Sequence, residues 1–158
     1  MAAGTQSAAG ATLGISSAAP ATYNIAGFEA LTYTNVGEIT TLGEWGQTYQ
    51  IITSQVLSRR GDKKRKGTFN AGSLSFSVEL DSGNTGQTAM QTALASDTDY
   101  SVLVTLQNGD KYYLRGLITK FAPNVQGPNS MVTANCTIEL QAFENASGDE
   151  VAAVADPA

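Results

Sequence analysis

Six of the nine basic residues of this chain fall within eight positions: Arg59, Arg60, Lys63, Lys64, Arg65 and Lys66. With Asp62 the octet carries +5, while the other three basic and thirteen acidic residues leave −10 on the rest of the chain. Cations this closely spaced repel one another, so the stretch reads as an extended, exposed loop. Charge alone would suit it to releasing counterions from phosphates. Yet no aromatics interleave with it and Trp45 is the single tryptophan, so nothing there offers a surface on which bases could stack. Carboxylates are the better complement, and the acidic body of an identical subunit supplies them in a head-to-tail contact.

Other chemistry finds little to work with. The chain has no histidine, which removes imidazole acid–base catalysis, His-based triads and His-ligated metal sites. The single Cys136 excludes an intrachain disulfide framework and a Cys-based metal site, and its place in an apolar alternation reads as a small buried hydrophobe. Asp97 and Asp99 are too few carboxylates for a calcium loop. No phosphate loop, paired catalytic carboxylates or activated serine can be assembled, so no catalytic, cofactor or metal residue is assigned and the chain reads as no enzyme. Arg60-Gly61-Asp62 matches an adhesion tripeptide, but the basic run already accounts for its arginine. Asn135 and Asn145 begin glycosylation sequons, discounted because Asn135 falls mid-strand and no export signal is seen.

The elements that would carry the basic stretch are mostly strands. The 158 residues are 42% hydrophobic and 15% charged, enough for one domain core. No run nears the ~18 apolar residues of a membrane span, so no membrane insertion is expected. Residues 72–80 alternate strictly, with Leu74, Phe76, Val78 and Leu80 on one face. Residues 131–143 repeat this with Val132, Ala134, Cys136, Ile138 and Leu140. Residues 100–106 and 111–121 flank Asn108-Gly109, a signal for a hairpin with a type I′ turn. Residues 47–57 form a further β-prone run, and 30–42 one or two shorter ones. Residues 84–96 instead set Ala89, Met90, Ala93 and Leu94 on a helical stripe, capped by Asn84 or Thr85. The predicted architecture is mainly β: two packed antiparallel sheets, a β-sandwich or open barrel of six or seven strands, with one flanking α-helix.

Seventeen of the first twenty-two residues are Ala, Gly, Ser or Thr. The expected organisation is therefore a low-complexity N-terminal arm (1–22), a β-sandwich domain (23–144) with the basic loop at 58–70 and the helix at 84–96, and a C-terminal arm (145–158). Both arms are expected to gain order from a neighbouring subunit, since small residues bury little to offset backbone entropy. Two strand faces are purely polar without a single Lys or Arg: Ser73, Ser75, Ser77 and Glu79, and Thr133, Asn135, Thr137, Glu139 and Gln141.

In order, several stretches resemble the major tail tube proteins of long-tailed, non-contractile bacteriophages and related gene transfer agents. They are Phe28-Glu-Ala-Leu-Thr-Tyr-Thr-Asn-Val-Gly-Glu-Ile-Thr-Thr-Leu-Gly-Glu-Trp-Gly46, Arg59-Arg-Gly61, Lys66-Gly-Thr-Phe-Asn70, the strand at 72–80, Gly86-Gln87, the strand at 100–106 and Lys111-Tyr-Tyr-Leu114. The resemblance implies two packed sheets with one helix, and hexameric rings stacked head to tail as the conduit for genome delivery. It implies that the basic loop reaches an adjacent ring, and that an acidic lumen passes double-stranded DNA without specific binding. The two polar faces are accordingly assigned to the lumen. Implied partners are further copies of the chain, a tape-measure protein in the lumen, a tail terminator and distal tail or tip proteins. The implied location is the virion tail, after assembly in the host cytoplasm. The N-terminal arm is longer than the family leads one to expect, and the extra C-terminal domain of some members is absent. The alternative from another class is a surface or secreted β-sandwich adhesion or binding module using the exposed loop.

Overall fold

Period-two alternation of apolar residues dominates the chain, and a computed structural model describing residues 4–158 turns it into twelve strands and two helices. In chain order these are β1 (Thr12–Ser16), α1 (Ile25–Glu29), β2 (Thr34–Val36), β3 (Ile39–Leu42), β4 (Thr48–Ser54), β5 (Lys63–Asn70), β6 (Ser73–Glu79), α2 (Thr85–Leu94), β7 (Tyr100–Thr105), β8 (Lys111–Asn124), β9 (Thr133–Leu140), β10 (Phe143–Glu144), β11 (Glu150–Val151) and β12 (Val154–Asp156). The fold is mainly β and antiparallel. No helix among the described residues is long and apolar enough to cross a membrane.

The principal sheet runs β2-β1-β7-β8-β9-β6-β3, with β12 added beside β8. Its two terminal strands, β2 and β3, are joined by Gly37 and Glu38 alone. Three peptide steps span at most about 11 Å, so the two edges of the sheet must meet at this corner. The sheet therefore curls into an open barrel, and its inward side chains form one core: Leu13, Ile15, Val36, Leu74, Phe76, Val78, Val102, Val104, Leu114, Ile118, Phe121, Ala134, Cys136 and Ile138. The parity change between Ile118 and Phe121 is taken up by a bulge in the pairing of β8 with β9.

Helix α2 plugs the barrel and locks its corner. Asn84 caps it, its Oδ1 accepting from the Gln87 amide at 3.0 Å and from the Gly37 amide at 3.3 Å. Gln87 is 2% exposed and fully bonded. Its Oε1 accepts from the Asp81 amide at 3.0 Å, and its Nε2 donates to the carbonyls of Glu79 (2.8 Å) and Gly37 (3.3 Å). The expected stripe is rotated accordingly: Met90 and Ala93 are buried, Gln87 joins them, and Leu94 is exposed. A buried polar side chain that satisfies three strand-end groups at once outweighs the apolar contact Leu94 would make there.

Several expectations are corrected. Of the supposed N-terminal arm, residues 1–3 lie outside the described residues, while Thr12–Ser16 is an interior strand paired with both β2 and β7. Leu13 and Ile15 are its only large apolar residues and both are buried, each contributing roughly 1.5–3 kcal/mol. The domain thus starts before residue 23. The C-terminal arm also packs on its own subunit: Val154 pairs with Tyr113, Ala152 is buried, and the Ala158 amide donates to Asp110 Oδ1 at 2.9 Å. What holds both ends is an aromatic layer outside the barrel. Phe28 of the short helix α1 stacks on Tyr113 at 5.2 Å, Tyr23 packs on Phe143 at 5.4 Å, and Tyr33 Oη donates to the Phe28 carbonyl at 3.1 Å. Burial drives the Tyr113 hydroxyl up to about 12.

Smaller differences have local causes. Gly109 alone takes positive φ in the β7–β8 turn, its amide donating to Leu106 and the Leu106 amide to Asp110. This is a three-residue loop with a glycine bulge, not a type I′ turn. Leu80 and Val132 lie past the ends of β6 and β9 and are partly exposed.

Cys136 points into the core as expected, 1% exposed, and burial pushes its thiol up to about 12, with Lys120 partly opposing. The thiolate is the reactive form. The native protein should therefore resist a thiol-specific disulfide reagent at pH 8 and react stoichiometrically once urea unfolds it, with absorbance as the readout. Rapid reaction of the folded protein would show that β6 and β9 separate readily.

Candidate functional site

Thr48–Ser54 and Lys63–Asn70 pair only with each other, as a two-stranded sheet separate from the barrel. The predicted loop at 58–70 is thus corrected: Lys63, Lys64, Arg65 and Lys66 sit on strand β5, and Arg59 and Arg60 in the turn before it. Alternation resolves the repulsion that suggested a loop, because adjacent cations point to opposite faces of an exposed ribbon. Lys64 and Lys66 lie opposite Thr53 and Ile51, while Lys63 and Arg65 lie opposite Ser54 and Ile52. All seven residues of β4 are exposed. The base is anchored by Tyr49 on Phe69 (5.5 Å) and Trp45 on Tyr112 (5.4 Å), with Lys66 Nζ 4.8 Å over the Tyr49 ring.

Two properties make this hairpin unusual. Its aliphatic side chains are uncovered on both faces, with Ile51 60% and Ile52 58% exposed and Val56 and Leu57 open at the turn. None of its six cations is in an ion pair: among the described residues the one salt bridge is Lys111–Glu29, at 4.0 Å. A lone two-stranded ribbon is marginal in water. This one presents apolar and cationic groups together, a surface built to be covered. The charges are evident in the sequence and the exposed aliphatics are not, although the unalternating Gln50-Ile51-Ile52 run is their one signal.

The second predicted surface is brought together by the sheet. β6 and β9 are neighbours in a register that sets Ser73 opposite Glu139, Ser75 opposite Thr137, Ser77 opposite Asn135 and Glu79 opposite Thr133. Ser77 Oγ donates to Asn135 Oδ1 at 2.9 Å, and Ser75 and Thr137 hydroxyls lie 3.4 Å apart. The result is a flat hydroxyl and amide face with a carboxylate near each end. Gln141 does not belong to it: it follows the end of β9, and its amide donates to the Arg115 carbonyl. Lys120 on β8 does, opposite Thr137, so the face carries one cation that the two strands alone did not show.

A third feature lies at the barrel seam. Ile39, Leu42, Trp45, Leu106, Ala8 and Ala11 line a cleft of about 410 Å³ along β3, the edge strand of the sheet. Glu38 and Glu44 bracket that strand in sequence and are exposed. No cluster of three or more His, Cys, Asp or Glu side chains able to hold a metal occurs among the described residues.

No protein-family profile matches the chain, and no curated protein matches it. Solved structures do. A chain of the six-fold symmetrised baseplate of the anti-feeding prophage aligns with a TM-score of 0.62 at 10% identity, covering 89% of this chain and 94% of that one. A chain of the PVC sheath–tube complex, an extracellular contractile injection system in its extended state, aligns with a TM-score of 0.59 at 8% identity, covering 94% and 88%. In overall fold this protein is thus similar to chains of a prophage baseplate and of an injection-system sheath–tube complex.

Proposed function

We propose that this chain is a structural protein that assembles with copies of itself into hexameric rings stacked head to tail as a tail tube, the conduit for genome delivery. The observation that carries the reading is the hairpin of β4 and β5, which has uncovered aliphatic and unpaired cationic side chains that nothing among the described residues covers. The fold shared with chains of a baseplate and a sheath–tube complex supports it, and one of those particles was six-fold symmetrised. Within this reading Arg59, Arg60, Lys63, Lys64, Arg65 and Lys66 form the inter-ring contact. A tape-measure protein fills the lumen during assembly, and terminator and tip proteins close the ends. The sequence resemblance favours a tail of the non-contractile type. Electron microscopy of the purified protein over rising concentration tests the proposal. Hollow tubes or rings are the expected result. A monodisperse monomer at millimolar concentration overturns it and favours the binding-module alternative.

The β6–β9 face is assigned to the lumen on the same reading. A moving polyanion needs weak contacts, and each added cation makes a phosphate contact with favourable counterion release, repeated around the ring. Glu79→Lys and Glu139→Lys together should therefore leave tube assembly unchanged but slow genome ejection, more strongly at low salt, in a fluorescence assay of released DNA. Ejection at the normal rate would remove the face from the lumen.

A further inference from the structure

The turn of the hairpin and the cleft at the barrel seam are opposite in shape, and the residues that flank each in sequence are opposite in charge. Leu57 is fully exposed and Val56 partly so, and Arg59 and Arg60 follow after Ser58. The cleft is lined by the apolar side chains of Ile39, Leu42, Trp45 and Leu106 with Thr40 and Thr41 between them, and β3 is bracketed in sequence by the exposed carboxylates Glu38 and Glu44, neither in an ion pair among the described residues. We infer that the cleft is the socket for the hairpin turn of a second copy of this chain, with Leu57 and Val56 filling it and Arg59 and Arg60 meeting Glu38 and Glu44. The inference rests on the self-assembly reading above and names the two surfaces that meet.

The occupant cannot be the chain's own turn. Trp45, at the foot of the hairpin, is itself part of the cleft wall. From there the seven residues of β4 rise at about 3.4 Å each, carrying the turn roughly 20 Å away. Plug and socket are different patches on one molecule, so their union is heterologous and propagates into rings or stacks rather than closing a two-fold dimer. Apolar fit holds the contact while the charges set its approach and register. The free edge of β3 lies beside the cleft, so a seated turn also shields backbone groups that an edge strand leaves open.

The test uses the full-length protein. Leu57→Cys and Ala8→Cys variants are prepared separately, mixed and oxidised, with denaturing electrophoresis as the readout. The expected result is a covalent heterodimer that neither variant gives alone. Trp45, the single tryptophan, reports independently: acrylamide should quench its fluorescence less in the assembled protein than in the monomer. Leu57→Asp should raise the critical concentration for assembly on the order of tenfold or more, and Leu57→Met should restore it. Tubes that form without the cross-link and with Trp45 still open to quencher overturn the socket and leave the tube reading standing. A cross-link without tubes or rings supports the socket and overturns the tube. Neither cross-link nor assembly overturns both.

Discussion

Gly86→Ala should cost this small protein about 3–5 kcal/mol. A Cβ at Gly86 would run into the carbonyl oxygen of Asn35 and lie 2.6 Å from both Asn35 C and Val36 Cα. These are backbone atoms of β2, held by their ladder to β1, and cannot swing aside as a side chain would. The helix must retreat, and with it go the Asn84 cap and the three Gln87 hydrogen bonds that close the barrel corner. Overpacking contributes roughly 1–3 kcal/mol, and each buried group left without a partner a similar amount, against a total stability of about 5–15 kcal/mol. Urea unfolding followed by circular dichroism should show a much lower midpoint. Gly127→Ala, where the new methyl meets nothing within 4 Å, is the control and should sit near wild type. A Gly86→Ala protein with a wild-type midpoint would mean that the corner is not held by the helix.

Reversing Lys63, Lys64, Arg65 and Lys66 to glutamate should abolish assembly while leaving the subunit folded. All four are exposed, and none is in an ion pair with a carboxylate of its own chain. Their removal therefore withdraws nothing from the barrel core, and the unfolding midpoint should stay close to wild type. Between subunits the balance is different. The reversed hairpin would face a body of charge −10 with a like sign, and partly desolvated charge pairs contribute on the order of 1–3 kcal/mol each. Ring repetition multiplies the deficit. Sedimentation should find the variant in the monomer fraction at concentrations where wild type pellets as polymer. Lys63→Arg, Lys64→Arg and Lys66→Arg combined, which keep the charge, should polymerise normally. Raised salt should slow wild-type assembly, since solvated charges are screened beyond about 8 Å at physiological ionic strength. Polymerisation of the glutamate variant at the wild-type rate would reduce the hairpin to a solvated ribbon.

What the sequence discloses follows from how each element earns its burial. β6 presents three alternating apolar residues to the core and β9 four, and both were legible from period two alone. Helix α2 was legible from its cap and the Met90–Ala93 pair, but the role of Gln87 was not. A glutamine inside a helix looks like a solvent-facing residue until the strand ends it serves are placed around it. β1 escaped because only Leu13 and Ile15 mark it, and the ladders to β2 and β7 that bury them join segments far apart in sequence. α1 and the C-terminal strands escaped for a related reason: Phe28, Tyr113 and Phe143 are far apart in sequence and meet only in the folded structure. At the candidate site the charges were evident, while the strand carrying four of them was masked by the repulsion that alternation relieves. The seam cleft could not be read at all, because Ala8, Leu42 and Leu106 share no pattern until the sheet curls.

The placement of β1 also bears on how the chain is made. Leu13 pairs with Val36 within the first quarter of the sequence, but its other partner, Val104, lies about ninety residues further on. A strand synthesised before its second partner must therefore remain unpaired on one edge until about ninety further residues have been made. Contacts of such long separation form slowly, and a waiting edge is where nascent chains stick to one another. Against that interval the composition of the first twenty-two residues makes sense. Two aliphatics embedded in alanine, glycine, serine and threonine are enough to find the barrel late, and too few to recruit another chain early. What reads as filler around Thr12–Ser16 is a strand whose blandness suits it to that wait.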